Sequence, residues 1–125
     1  MNIEFVSSID STNSELMRRA AAGDYSTVCL VAKEQTAGRG RLGRAWLSDT
    51  HSLMFSLGLP LAPLDWSGLS LAVGVSIAES LHSRIQIKWP NDLWVDGQKL
   101  AGILIETTTI KDAPIGERYA VIGVG

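Results

Sequence analysis

The sequence predicts an α+β fold, a mixed, mostly antiparallel sheet with two helices packed on one face. Three observations carry that expectation: strict apolar alternation over Leu53, Phe55, Leu57 and Leu59, an Asp96-Gly97 dipeptide between two apolar runs, and helical periodicity near residues 12–22 and 69–81. With 125 residues, 46% of them hydrophobic, the chain has room for one compact domain with a real core.

The elements follow in order. Ile3 to Ser7 reads as a short strand. Thr12-Asn13-Ser14-Glu15 has capping-box spacing and starts a helix that runs to about Ala22, where Gly23 stops it. Val28 to Lys33 is a β-branched run suited to a buried strand. A further strand alternates from Leu53 and ends at Pro60. Leu69, Val73, Ile77 and Leu81 recur at helical spacing and give the longest helix, despite Gly74.

Ile85 to Lys88 is a strand, Trp89-Pro90-Asn91-Asp92 a turn with Trp89 held extended before proline, and Leu93 to Val95 another strand. Asp96-Gly97 suits a type I′ hairpin, and Gln98 to Thr107 forms the return arm. Ile110 to Gly116 is a loop, and Tyr119 to Val124 is an apolar strand that meets the end of the chain in mid-run, the mark of a piece of a longer protein. An exposed edge strand there would allow sheet-to-sheet pairing into a homodimer.

Composition excludes several classes. The apolar fraction is too high for a disordered chain, and no apolar run reaches bilayer-spanning length. Asn2 and Glu4 interrupt the first apolar residues, so no signal peptide is expected. Cys29, the single cysteine, cannot form an internal disulfide, which favours a cytoplasmic setting and a core thiol. His51 and His82 lack metal-ligand spacing, so no metal site is expected. A net charge of −2 argues against a nucleic-acid trap.

That charge is uneven. Arg39, Arg41 and Arg44 lie within six residues, among Gly38, Gly40 and Gly43, and no acid occurs from Gln35 to Ser48. The stretch satisfies G-x-G-x-x-G, but no helical stripe and no suitably spaced acid follow, and Arg44-Ala45 stands where a Walker A loop needs Lys then Ser or Thr. Both standard nucleotide motifs fail. Glycines that admit close approach and arginines with planar forks still suit a small anionic ligand, and such a loop is expected to be mobile when empty. A solvated surface loop, or a segment brushing nucleic acid, fits the same residues.

Strict alternation puts Lys99 on a face with Ala101, Ile103 and Ile105, where a lysine needs an anion or snorkels at the strand edge. Lys88 alternates with Gln86 and reads as exposed. Ser11-Thr12-Asn13 is adequate as a helix start and also offers polar groups to a ligand. Gln35 and Trp46 flank the glycine loop, one able to hydrogen-bond and the other to stack on a ring.

Ser11-Thr12-Asn13, then Gln35 to Trp46, then Lys88-Trp89-Pro90-Asn91-Asp92-Leu93, then Lys99-Leu100-Ala101-Gly102-Ile103-Leu104-Ile105-Glu106 resemble, in order, the motifs of biotin protein ligases. The resemblance implies a fold like that of class II aminoacyl-tRNA synthetases. It also implies activation of biotin with ATP to biotinyl-5′-adenylate, then transfer to one lysine of a biotin carboxyl carrier protein of acetyl-CoA carboxylase. Ligation of lipoate or another acid, or an inactive biotin-binding fragment, is the alternative.

By the same resemblance Lys99 contacts the biotin carboxylate and the α-phosphate, with Arg41 beside it in catalysis. Gly38, Arg39, Gly40 and Arg41 form the loop that closes over the adenylate, and Gln35 holds biotin. Ser11, Thr12 and Asn13 hydrogen-bond its ring system, and Gly102 lets it approach the strand. Trp46 packs near adenine and Arg44 lies near the phosphates, while Asn91 and Asp92 position Lys88 and a magnesium ion brought with ATP. The winged helix of repressor-type ligases is absent from this sequence, so no operator binding is expected. The family pattern continues past Gly125 with an adenine-contacting Asn, further helices and a small β domain, so the chain is expected to be a partial catalytic domain.

Overall fold

A computed structural model describes residues 1–47 and 52–125 of the chain. Of the residues discussed above, Ser48 and His51 lie outside the described residues.

Seven strands form one sheet. They are β1 (Asn2–Ile9), β2 (Val28–Gln35), β3 (Met54–Leu61), β4 (Gln86–Lys88), β5 (Asp92–Val95), β6 (Gln98–Thr109) and β7 (Arg118–Val124), ordered β1-β2-β3-β7-β6-β5-β4. β1 and β2 run parallel, and every other pair is antiparallel. Two helices, α1 (Thr12–Ala21) and α2 (Leu69–Leu81), complete the fold. The α+β class is therefore as the sequence predicts, and no helix among the described residues is long and apolar enough to cross a membrane.

The helices, however, do not share a face. Asn13 and Leu16 of α1 lie against Gly123 and Gly58, and the ladder places those glycines on the side of Ser56, Leu104 and Val121. Gly74 of α2 instead meets Ile103, Leu93 and Ile87, which occupy the alternate face. β7 is buried without a break from Tyr119 to Gly123 and carries α1 on one face, while α2 lies farther along the sheet, over β4, β5 and β6.

β7 also corrects the expected free edge near the end of the chain. It lies between β3 and β6, and the sheet's outer strands are β1 and β4. A run that is apolar on both faces belongs in the middle of a sheet.

Smaller corrections have equally local causes. The helix cap is Ser11, whose Oγ accepts from Ser14 N at 3.2 Å, so the cap stands one residue before Thr12. β3 continues through Pro60, since pairing with β2 ends at Gly58 and the missing N–H falls where β3 has one neighbour. Leu53, at the start of the alternation, stays 65% exposed outside the strand. Leu81 leaves the α2 stripe and is exposed. Cys29 is half-buried and not core, and partial desolvation pushes its thiol pKa up.

The main core forms where α1 meets the sheet. Leu16 and Ala20 pack with Val28, Leu30, Tyr119 and Val121, while Arg18 and Arg19 on the outer side pair with Asp10, Glu15 and Glu4. Gly23, at φ +92°, ends α1. Asp96 and Gly97, at φ +50° and +77°, make the β5–β6 turn as the dipeptide predicts.

Candidate functional site

The N-terminus of α1 abuts the ladder over its smallest residues. Ser56, fully buried on β3, and Gly123 on β7 are register partners. A Cβ on Gly123 would collide with the Asn13 amide, so glycine is what admits Asn13 to this position. Asn13 Nδ2 donates to Leu104 O and Glu106 Oε1, each at 3.1 Å, and Asn13 Oδ1 accepts from Ser56 Oγ. Thr12 donates to Gln35 Oε1 from its backbone N at 2.8 Å and from its hydroxyl at 3.1 Å, and Ser56 Oγ stands 2.7 Å from Thr12 Oγ1. This wall is buried, uncharged and held in place by its own hydrogen bonds.

The glycine loop leaves the end of β2 and folds back on itself. Trp46 N donates to Gly38 O at 2.8 Å, and Gly40 N to Arg44 O at 2.7 Å. A short 3₁₀ turn over Arg41–Gly43, with Leu42 at φ +58°, makes its tip. No helix opens there, as the rejection of both nucleotide motifs requires. The Trp46 ring lies over Gly102 and Gly125, where a Cβ would stand 2.8 Å and 2.7 Å from its atoms.

Lys99 shows what alternation alone misses. The β5–β6 register pairs Leu93 with Ala101 and then Trp94 with Lys99, skipping Leu100. That bulge reverses the phase of the strand and turns Lys99 away from the Ala101 and Ile103 face toward the cavity. Its ammonium lies 3.2 Å from Asp92 Oδ1 and 4.8 Å from the Trp46 ring centre.

Together these elements line a cavity of about 240 Å³. Ser11, Thr12, Asn13, Gln35, Arg39, Gly40, Arg41, Arg44, Trp46, Asn91, Asp92, Lys99 and Gly102 all contribute to it. Two residues singled out in the sequence do not. Gly38 closes the loop from behind, because a Cβ there would meet Trp46 O at 2.6 Å. Lys88 is exposed, with its ammonium 4.6 Å from the Trp94 ring, and it is Lys99 that Asp92 holds. Asn91, buried, donates to Ile103 O at 2.7 Å and fixes the turn.

Sequence reading passed over Ser56, Gly123, Gly125 and Glu106. The first three are small residues that the register brings together, a signal visible only once the strands are paired. Glu106 was legible as an acid in an otherwise apolar or hydroxylated stretch, Leu100 to Thr109.

Residues 5–124 match the model of the biotin/lipoate A/B protein ligase family. The biotin–[acetyl-CoA-carboxylase] ligase of Mycobacterium tuberculosis is 37% identical, over 98% of this chain and 48% of that protein. The biotin acetyl coenzyme A carboxylase synthetase of Helicobacter pylori with bound biotinylated ATP superposes with a TM-score of 0.79 at 28% identity, covering 99% of this chain and 60% of that one. The biotin protein ligase of Aquifex aeolicus in complex with biotin and ATP gives 0.75 at 32% identity, over 99% and 52%. The chain thus spans about half the length of these relatives.

Proposed function

The chain belongs to the biotin/lipoate A/B protein ligase family, and on that premise we propose that it carries the biotin- and ATP-binding centre of a biotin–protein ligase. The observation that supports this reading is the two-ended cavity. One end is a neutral hydrogen-bonding wall built from buried Ser11, Thr12 and Asn13 with half-buried Gln35. The other carries Arg41, Arg44 and Lys99, and neither Arg41 nor Arg44 has an ion-pair partner among the described residues. A polar, uncharged ring system with a carboxylate tail has that same division.

In the first step the biotin carboxylate oxygen attacks the α-phosphorus of ATP and pyrophosphate leaves. Negative charge then crowds one point, and fixed cations there lower the barrier. Lys99, braced by Asp92 and Trp46, supplies one. Arg41 and Arg44 supply exposed planar forks for phosphate oxygens. Trp46 offers its ring to adenine, and Gly102 lets biotin approach β6. Asp92, a carboxylate lining the cavity, would hold a magnesium ion brought with ATP, which would screen the phosphate charge. In the second step an amine from a carrier-protein lysine attacks the mixed anhydride and AMP departs. No covalent enzyme intermediate is needed, so the residues orient the reactants and exclude water.

Isotope exchange between pyrophosphate and ATP tests the reading. Exchange is expected with biotin and not with lipoate. Exchange that depends on lipoate, or none with either acid, would overturn it.

A further inference from the structure

We propose that Ser56, a fully buried serine that does not line the cavity, is the positioning residue that fixes the hydrogen-bond polarity of the cavity wall, so that Thr12 meets a ligand as an acceptor only. The polarity rests on geometry; its meaning for biotin rests on the ligase reading above.

The hydrogens of the wall are assigned by elimination. At one end of the Asn13 carboxamide stand the Leu104 carbonyl and the Glu106 carboxylate, each at 3.1 Å. Neither can donate, since a carbonyl carries no hydrogen and Glu106 is ion-paired with Arg39 at 2.7 Å. That end of Asn13 is therefore its NH₂ group, with both hydrogens spent, and the other end is Oδ1. Oδ1 also accepts only, so Ser56 gives it its single hydroxyl hydrogen.

Ser56 Oγ then faces Thr12 Oγ1, 2.7 Å away, with a lone pair. Two hydroxyl oxygens at that distance attract only through a hydrogen, and the one remaining is that of Thr12. Its other acceptor, Gln35 Oε1, lies 3.1 Å from Thr12 Oγ1 and is already served by the Thr12 backbone N–H. Shared between these two acceptors, the hydrogen points into the protein and not into the cavity.

Thr12 lines the cavity yet is almost wholly buried, so setting another acceptor against its lone pair is costly. A ligand atom placed there has to bring a hydrogen. The ring N–H groups of a cyclic urea such as that of biotin do so, and the dithiolane ring of lipoate has none to bring. Asn13, with both hydrogens committed, offers a ligand no donor. Serine suits position 56 because it both gives a hydrogen to Asn13 and accepts from Thr12, and its register partner Gly123 leaves room for Asn13 above it.

Calorimetric titration with biotin, and with the two cyclic carbamates that replace one or the other ring N–H by oxygen, tests the assignment. Wild-type protein should bind at least one carbamate about 10²-fold more weakly than biotin, because a buried acceptor then faces an acceptor. Ser56→Ala withdraws the partner at 2.7 Å and lets the Thr12 hydroxyl turn, so that ratio should fall about tenfold. Thr12→Val, which keeps the shape and removes the oxygen, should bring the ratio to about one. A purely structural Ser56 would weaken both ligands alike, and an unchanged ratio in Ser56→Ala would overturn the proposal. In NMR spectra of the wild type, the hydroxyl protons of Ser56 and Thr12 should be visible and slow to exchange. Overhauser contacts should run from the Ser56 proton to Asn13 and from the Thr12 proton to Ser56 or Gln35. A Thr12 hydroxyl proton in rapid exchange with solvent would sink the assignment as surely as an unchanged ratio. Protein that shows these protons but binds no biotin would support the polarity and defeat the ligase reading.

Discussion

On the α1 wall of the cavity, Ser11, Thr12 and Asn13 are 2%, 3% and 4% exposed and bonded to one another's neighbours, whereas on the rim Arg41 and Arg44 stand in solvent with no ion-pair partner among the described residues. The wall is uncharged and its shape is set in advance, because a buried polar group without a partner costs more than a made hydrogen bond returns. The rim keeps its charge free because solvent makes an unpaired cation inexpensive. Substitutions in the wall should therefore register in stability, and substitutions on the rim in chemistry.

The sharpest separation is expected at Lys99. Lys99→Ala should reduce biotinyl-adenylate formation by about 10²–10³-fold, the scale of losing one transition-state donor. Its denaturant midpoint should barely move, since it loses one partly exposed pair with Asp92. An unchanged rate, read in single turnover, would remove Lys99 from the mechanism.

Gly123→Ala probes the wall. The added methyl meets the Asn13 amide, and displacing it should cost about 1–3 kcal/mol in denaturant unfolding. Stability equal to wild type would mean that the wall is less rigid than its hydrogen bonds indicate. Ser11→Ala removes the α1 cap and should cost about 1 kcal/mol by the same measurement. A larger loss would show that the cap and the Thr12 and Asn13 bonds act as a unit.

The smallest effect concerns pH. The Arg18 guanidinium, hydrogen-bonded to Asp10 just before the cap, holds that carboxyl down at about 2, against an ordinary 3.8. A depressed folded-state pKa gives stability that is full above the ordinary value and is lost as pH falls through the folded one. The thermal midpoint of the wild type should thus fall between about pH 4 and 2 more steeply than that of Asp10→Asn. Parallel profiles would show that this exposed pair contributes nothing.

Local chemistry carried much of the fold into the sequence. Gly23 and the Asp96-Gly97 pair announce their conformations because only particular residues accept positive φ cheaply, and both ends of α2 follow from spacing. The capping boundary slipped by one residue because Ser11 and Thr12 are equally good caps, and the need of Gln35 and Ser56 for Thr12 decides between them. For the site, composition and motif order already brought forward the loop arginines, the Ser11-Thr12-Asn13 segment and Lys99.

What the sequence by itself determined, then, was which residues are polar, cationic or free of a side chain at each point along the chain. Tertiary structure alone decided which of them meet. The bulge at Leu100 turns Lys99 onto the cavity face, the two helices pack on opposite faces of the sheet, and Glu106 reaches Arg39 across two intervening strands. The physical reason is that strand pairing is non-local: a shift of one residue in register exchanges the two faces of a sheet, and no pattern within a single strand records the register of its neighbour.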